Sequence, residues 1–378
     1  MAFGVYVHFP WCAVHCPYCD FAVSTARPIP QARYADAVLA ELALRAPAFE
    51  GRELASVYLG GGTPSLWEPD QVARVVAGAA ARFGARPREV TLEANPESAA
   101  DAGRLRAYRD AGVNRLSVGV QSFDAGVLVK LGRRHGPEQA ERALRLAGEV
   151  FEDVAADLIY GARRSTVATA AADAARLAAL PVTHVSAYAL TLDPEIMAEE
   201  VPFARMRREG RLPLPGDEEV LAQARAIRAG LRRGGLRRYE ISNFARPGRE
   251  AVHNRLYWVG ESYLGLGAGA VGALLRPGQG GVRWSNHRGP ETYLAAVEAG
   301  RAPSAEEEPL DPAAVERERL MLGLRLREGV PLSLVPEARR RELEPLRRGR
   351  LAVLGGGRVR LTSRGLDLHS AIAERLLP

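Results

Sequence analysis

The stretch Trp11-Cys12-Ala13-Val14-His15-Cys16-Pro17-Tyr18-Cys19-Asp20-Phe21 decides how the rest of the chain is read. It holds all three cysteines of a 378-residue chain, spaced C-x3-C-x2-C. Three thiolates are too few for a disulfide framework and one short of a closed four-ligand zinc site. They suit a cubane iron–sulfur cluster, since thiolates select such clusters among soft-metal sites. A cubane on three cysteines keeps one iron open, where a small molecule can bind and react. The alternative is a zinc-dependent interaction module in which His15 completes a Cys3His set. Structural zinc usually joins two separated ligand pairs, whereas here all four ligands would come from one short loop.

Working outward, residues 5–9 read as a strand that runs straight into this loop. Further β-branched runs at 56–59, 89–93, 115–120, 153–159 and 184–190 alternate with helical patterns near 31–48, 69–83, 99–111, 137–149 and 166–180. Strands separated by helices imply βαβ crossovers and a parallel sheet. Six such units fit an open, partial (β/α)6 barrel better than a full eight-fold one, with a doubly wound sheet as the alternative. The rhythm changes after Leu190. A helix is expected over 217–233, residues 265–269 form a glycine run, and 276–281 is a Pro/Gly-rich loop. Residues 301–312, with three prolines and four acidic residues, read as a linker. The tail then orders helices, a short hairpin and a final helix, as in a small winged-helix-like module. The expected organisation is 1–195 barrel, 196–300 barrel extension and 301–378 C-terminal domain.

The net charge of +6 is mild for this length, and Lys130 is the only lysine. The densest basic stretch, Arg339-Arg340-Arg341 with Arg347, Arg348 and Arg350, is broken by Glu342 and Glu344. That pattern belongs to a solvated helix face, so no nucleic acid partner is expected. Peripheral contact of the basic surface with acidic lipid stays open, as does the oligomeric state. No run approaches the roughly 20 apolar residues of a membrane helix, and the N-terminus has no signal-peptide pattern. Three unpaired thiols fit a reducing compartment, so the expected location is the cytoplasm.

Conspicuous polar and glycine residues gather after the strand ends: Gly60-Gly61-Gly62-Thr63-Pro64, Glu93-Ala94-Asn95-Pro96 and Gly119-Val120-Gln121-Ser122, with Asp157 and Tyr188 on the fifth and sixth strands. In parallel α/β folds the active site lies at that end, because the loops converge there. The glycines let backbone approach a ligand and offer N–H groups to a carboxylate. No Gly-Lys-Ser/Thr follows, so this is not a phosphate loop. Glu93 closes an apolar strand, where a carboxylate accepts ribose hydroxyls or a substrate amine. Asp157 lies among apolar residues, and a buried charge needs a partner. The later Gly265-Leu266-Gly267-Ala268-Gly269 lacks the βαβ setting of a dinucleotide fingerprint and reads as a close-approach strand wall. His253-Asn254-Arg255-Leu256-Tyr257-Trp258 sets a potential axial ligand beside aromatic rings.

Taken together, C-x3-C-x2-C after a strand, Gly-Gly-Thr-Pro, Glu-Ala-Asn-Pro, Gly-Val-Gln-Ser-Phe and Asp-Leu-Ile-Tyr-Gly resemble the radical S-adenosylmethionine (SAM) family. Within it, the chain is similar to the oxygen-independent coproporphyrinogen III dehydrogenase-like group, and there to the HemW haem-chaperone branch. The resemblance extends through 239–248, 263–270 and the C-terminal module. It implies that Cys12, Cys16 and Cys19 hold a 4Fe–4S cluster whose fourth iron takes SAM. Cluster reduction would cleave SAM to methionine and a 5′-deoxyadenosyl radical. Tyr6, Gly61 and Gly62 would line the methionine end, Glu93 the ribose, and Ala189 and Val271 the adenine. A second SAM in the dehydrogenases would map to Tyr18, Gly62, Thr63, Gln121, Arg133 and Asp157.

Two features separate chaperone from dehydrogenase. The dehydrogenases carry a fourth cysteine two residues past the third, where Phe21 stands here. The chaperone branch carries His-Asn-x-x-Tyr, matched by His253 and Tyr257, which the resemblance assigns to haem. The implied partners are haem, haem-acceptor proteins and an electron donor for the cluster. The rival reading is an enzyme, the coproporphyrinogen dehydrogenase itself. One departure is Ala162-Arg163-Arg164, where the family has Leu-Pro after the glycine.

Overall fold

In the first strand, β1 (Ala2–Phe9), Phe3, Val5, Val7 and Phe9 are fully buried against helices. The alternate residues Gly4, Tyr6 and His8 face the other way, as the two-residue period of a strand requires. This alternation recurs along the sheet and gives it an apolar convex side and a polar concave side. The computed structural model describes every residue except 194, 196, 198 and 199.

Five crossovers follow. They are α1 (Gln31–Arg45), β2 (Glu53–Gly61), α2 (Pro69–Phe83), β3 (Glu89–Ala94), α3 (Ala102–Asp110), β4 (Arg115–Gln121), α4 (Ala125–Lys130), α5 (Pro137–Val150), β5 (Asp153–Tyr160), α6 (Val167–Ala178) and β6 (His184–Ala189). Strands β1 to β6 pair in order, all parallel. The helices have local reasons to begin and end where they do. Asp101 caps α3 by accepting the N–H groups of Gly103 and Arg104. Gly84 closes α2 in the left-handed conformation, φ 61°. Thr166 and Thr169 form a reciprocal capping box on α6.

The chain then runs through α7 (Pro202–Arg208), α8 (Asp217–Arg233), β7 (Arg237–Arg238), β8 (Asn243–Ala245), α9 (Val252–Trp258), β9 (Ser262–Leu266), β10 (Val271–Arg276), β11 (Gly280–Asn286), α10 (Pro290–Glu298) and β12 (Ser304–Leu310). Among the described residues the sheet reads β12-β11-β10-β9-β1-β2-β3-β4-β5-β6-β8-β7. The parallel barrel is thus widened at both edges. At Gly265 an added Cβ would sit 2.0 Å from the Val271 carbonyl oxygen, so β9 and β10 approach at a distance that only glycine allows.

The structure corrects the expected linker over 301–312. Ser304–Leu310 is the edge strand β12, antiparallel to β11. Its Glu306–Glu308 run stands in solvent, and Arg283 on β11 pairs with Glu308. Charges and a proline are how an edge strand avoids further pairing, so the composition that suggested a linker belongs to the sheet's margin. The segment His253–Trp258, read without a defined element, is helix α9, lying against β1, β2 and β9.

The tail comprises α11 (Pro312–Gly323), β13 (Val330–Pro331), α12 (Leu343–Arg348), β14 (Ala352–Gly355), β15 (Arg358–Leu361), α13 (Ser363–Leu366) and α14 (His369–Leu376). Its own core includes Leu320, Leu324, Val335, Val359 and Leu376. Ion pairs tie it to the barrel: Asp367 takes Arg228 at 2.9 Å and Arg238 at 3.0 Å, and Arg325 meets buried Glu240 at 2.9 Å. Among the described residues no helix is long and apolar enough to cross a membrane.

Candidate functional site

The cysteine loop leaves β1 at its C-terminal end and is clipped at both sides. Cys12 donates its N–H to the Ser24 carbonyl at 2.9 Å, and Ser24 donates to Pro10 at 2.7 Å. His8, on the concave face, reaches the Ala22 carbonyl through Nε2 at 2.8 Å and meets the Tyr6 hydroxyl through Nδ1 at 3.0 Å. Burial lowers the His8 pKa to about 4, so the ring is a neutral clamp. The loop's three free thiols all face one cavity of about 150 Å3.

A hydrogen-bond network laces the thiols to the strand ends. Thr63 donates Oγ1–H to Cys12 Sγ at 3.4 Å, and Asn95 donates Nδ2–H to Thr63 Oγ1 at 3.1 Å. Arg133 holds Asn95 Oδ1 at 2.6 Å and the Gly119 carbonyl at 3.0 Å, and donates to Cys16 Sγ at 3.6 Å. Burial pushes the Cys12 thiol up and Cys19 to about 11. A metal centre therefore has to displace their protons, and binding releases them.

The glycine loop does a different job from the one expected of it. Gly61 donates its N–H to Glu93 Oε2 at 3.1 Å, Gly62 donates to the Phe9 carbonyl at 2.8 Å, and Thr63 donates to Trp11 at 2.9 Å. These amides are already engaged within the protein, so they are not free for a ligand carboxylate. What the glycines contribute is proximity. A Cβ on Gly61, where φ is 105°, would strike the His8 ring at 2.5 Å; one on Gly62 would meet the Phe9 and Trp11 carbonyl oxygens at 2.8 Å.

Glu93 and Asp157 face the same cavity from β3 and β5. Glu93 accepts the Tyr58 hydroxyl at 2.7 Å through Oε1. Burial raises its pKa to about 7, with Asp157 adding repulsion. Asp157 is raised to about 6, again by burial; hydrogen bonds from Ser186 and Ser117 and the charges of Arg115 and Arg133 oppose the rise. Two half-buried carboxylates so poised take hydroxyl or ammonium donors readily. Gln121 at the end of β4 is held at φ 66°, a costly conformation for a side-chain-bearing residue, and its buried Oε1 has no hydrogen-bond partner among the described residues. Such an orphaned acceptor beside the thiols awaits a donor from a bound molecule. Tyr18, Gly61, Gly62, Thr63, Glu93, Gln121, Arg133 and Asp157 therefore converge with the cysteines.

The remaining expected residues fall elsewhere. Tyr6, Val271 and Tyr257 line a neighbouring cavity of about 360 Å3, and Phe21 lines both cavities. Ala189, the last residue of β6, lines neither. His253 is 2% exposed. Its Nδ1 lies 2.9 Å from Ser56 Oγ and its Nε2 lies 2.8 Å from Tyr257 Oη, so neither nitrogen is free. Sequence reasoning passed over Tyr58 and His8, and it noted Asn95 within Glu-Ala-Asn-Pro without giving it a role. Tyr58 and Gly60 alternate with buried Val57 and Leu59, so the period of β2 already pointed Tyr58 at the concave side.

Three thiols facing one cavity are the donor set that a cubane cluster needs, one at each of three irons. A lone ion asks for ligands around one point, and among the described residues no three His, Cys, Asp or Glu side chains are so arranged. His15, which the zinc reading requires, has Nε2 on the Cys19 carbonyl at 2.8 Å.

A partial parallel barrel with this cysteine loop at its mouth defines a radical SAM protein, and the radical SAM superfamily profile matches residues 6–177. The HemN C-terminal domain profile matches 310–368. The solved coproporphyrinogen III oxidase HemN of Escherichia coli, a radical SAM enzyme, has the same fold. Its TM-score is 0.80 at 24% identity, covering 100% of this chain and 90% of that one. The heme chaperone HemW of Mycobacterium tuberculosis is 36% identical over 99% of this chain and 95% of its own length. HemW of Escherichia coli K12 is 33% identical over 82% and 80% respectively. The chain belongs to the HemW family.

Proposed function

We propose that this protein is a haem chaperone, binding haem and passing it to acceptor proteins, with a 4Fe–4S cluster and SAM held at the mouth of its barrel. The observation that carries the proposal is the placement of Phe21. This exposed ring lines both the cysteine cavity and the cavity of Tyr257, and so joins a cluster site to a surface where the aromatic rings of Tyr6, Tyr257 and Tyr263 stand beside Asp20 and Arg288. The full-length likeness to HemW proteins, named as heme chaperones, supports the same reading.

Cys12, Cys16 and Cys19 would ligate the cluster. A reduced cluster supplies an electron to SAM when both are bound. Glu93 and Asp157 accept hydrogen bonds from the SAM ribose and amine region, and Gln121 Oε1 gains the donor that it lacks. Arg133 offsets negative charge at Cys16. Tyr6 and Val271 border the adjoining cavity, and His253 with Tyr257 serve haem. Three unpaired thiols suit a reducing compartment, which supports the cytoplasm as the place of work, with an electron donor and haem acceptors as partners.

The test reconstitutes the cluster anaerobically, adds SAM and reductant, and offers coproporphyrinogen and haem separately. Haem retention without decarboxylation is expected. Turnover to protoporphyrinogen would replace the chaperone reading with the dehydrogenase one.

A further inference from the structure

Gln121 reaches the cysteine cavity from a strained turn. Ser122 donates its N–H to the Val120 carbonyl at 2.9 Å, which closes a three-residue turn with Gln121 at its centre at φ 66°. A turn of this size about a positive φ is rare, and it persists only where the surroundings impose it. The pairing of β4 with β5 slips between Val118 and Gln121, so the regular ladder breaks where the turn begins. The grip comes from outside the barrel. Asp173 on α6, 7% exposed, accepts the Ser122 hydroxyl through Oδ2 at 2.7 Å and the Phe123 N–H through Oδ1 at 2.8 Å. Burial raises its pKa to about 6, so at neutral pH a carboxylate accepts both bonds. One helical turn on, Arg176 lies over the Phe123 ring at 4.8 Å and pairs with Glu141 of α5 at 2.7 Å. On the other side of the turn, His135 Nε2 lies 2.9 Å from the Val120 carbonyl oxygen. The Gln121 amide itself packs over Gly119, where an added Cβ would come 2.8 Å from Nε2, and its Oε1 has no hydrogen-bond partner among the described residues.

We infer that Asp173 is a positioning residue for SAM, acting through Gln121. This rests on the reading above in which SAM occupies the cysteine cavity. Asp173 does not line that cavity, so it touches no ligand there. Its two bonds fix the residues directly after Gln121, and with them the backbone angle from which the Gln121 side chain leaves β4. Without them the turn relaxes toward negative φ, and Oε1 moves away from the place where a SAM donor meets it. The outer helices α5 and α6 thereby hold a costly backbone conformation ready before the ligand arrives, so that binding does not have to order it.

The experiment measures SAM dissociation constants by anaerobic calorimetry on full-length, cluster-loaded protein, with variants matched for iron content and far-ultraviolet circular dichroism. Asp173→Ala removes both acceptors and should weaken SAM binding about tenfold, whereas Asp173→Asn keeps one acceptor and should weaken it about threefold. In a Gln121→Ala background, Asp173→Ala should change the affinity by less than about twofold, because the residue through which it acts is gone. Equal losses in the two backgrounds would show that Asp173 supports the fold in general and would overturn the inference. An unchanged affinity in Asp173→Ala would overturn it as well. If Asp173→Ala does not hold its cluster, the same cycle run with Asp173→Asn decides by the same criterion: a loss confined to the protein that retains Gln121 upholds the inference, and an equal loss in both overturns it. Failure of the wild type to bind SAM would overturn the SAM reading itself, and this inference with it.

Discussion

Gly61 donates its backbone N–H to Glu93 Oε2 at 3.1 Å, so the glycine loop and the carboxylate hold each other in place before any ligand binds. Glu93 is pushed up from 4.5 to about 7, chiefly by burial. The folded protein thus binds this proton more tightly than the unfolded chain does. Stability from this group is fully present below about pH 4.5 and is lost as pH rises through about 7, by about 3 kcal/mol. Denaturant midpoints measured from pH 4 to 8 should fall over that window in the wild type and fall less in Glu93→Gln. The variant should be the more stable protein at pH 8 and should bind SAM more weakly. A variant with the same pH slope as wild type would refute the shift.

Arg133 brings a positive charge within hydrogen-bonding reach of Cys16 Sγ. Removing it in Arg133→Gln should leave the cluster harder to reduce. Redox titration should show a potential more negative on the order of 60 mV, equivalent to about 1.4 kcal/mol for one electron. An unchanged potential with full iron content would show that Arg133 does not act on the cluster.

Glu41 on α1 is completely buried and binds the Gly267 N–H, Asn286, Tyr293 and Arg45. These contacts fasten the first helix to the β9–β11 edge. Glu41→Ala leaves Arg45 and three donors without their acceptor and should cost about 3–5 kcal/mol in chemical denaturation. Glu41→Gln, which keeps part of the bonding, should cost less.

At Gly265 the geometry predicts a large effect from one methyl group. An added Cβ meets the Val271 carbonyl oxygen at 2.0 Å and the Gly272 nitrogen at 2.9 Å, both backbone atoms. Gly265→Ala should therefore destabilise the protein by about 3 kcal/mol. Gly84→Ala, with nothing within 4 Å of its Cβ but a φ of 61°, should cost only about 1 kcal/mol. Equal losses in the two variants would contradict close approach as the source of a larger cost at Gly265.

Most of the barrel was legible because its signals are local. Pro69 and Gly84 bracket α2, and valine-rich runs buried on both sides mark the inner strands. Helix α8, with Asp217, Glu218 and Glu219 in its first turn and Arg232 and Arg233 in its last, carries charges that favour both ends. The edge strand β12 was not legible, since its pairing depends on distant β11 and its own residues are those of an exposed loop. Helix α9 was missed because seven residues are too few to show a period. At the site, residue types and their order pointed to the cysteine cavity. They could not show that the Gly61 and Gly62 amides are already engaged, or that His253 lies behind Tyr257, because both facts arise from contacts between segments far apart in the chain.

The most direct test of the account is haem transfer. Full-length, cluster-loaded protein carrying one equivalent of haem is mixed with an excess of an apo-haemoprotein, and absorbance spectra follow the haem. The account predicts that the acceptor acquires its holo spectrum while the chaperone's haem bands decay in step and the porphyrin side chains remain unchanged. Haem that stays on the protein, or propionates lost as carbon dioxide, would contradict it.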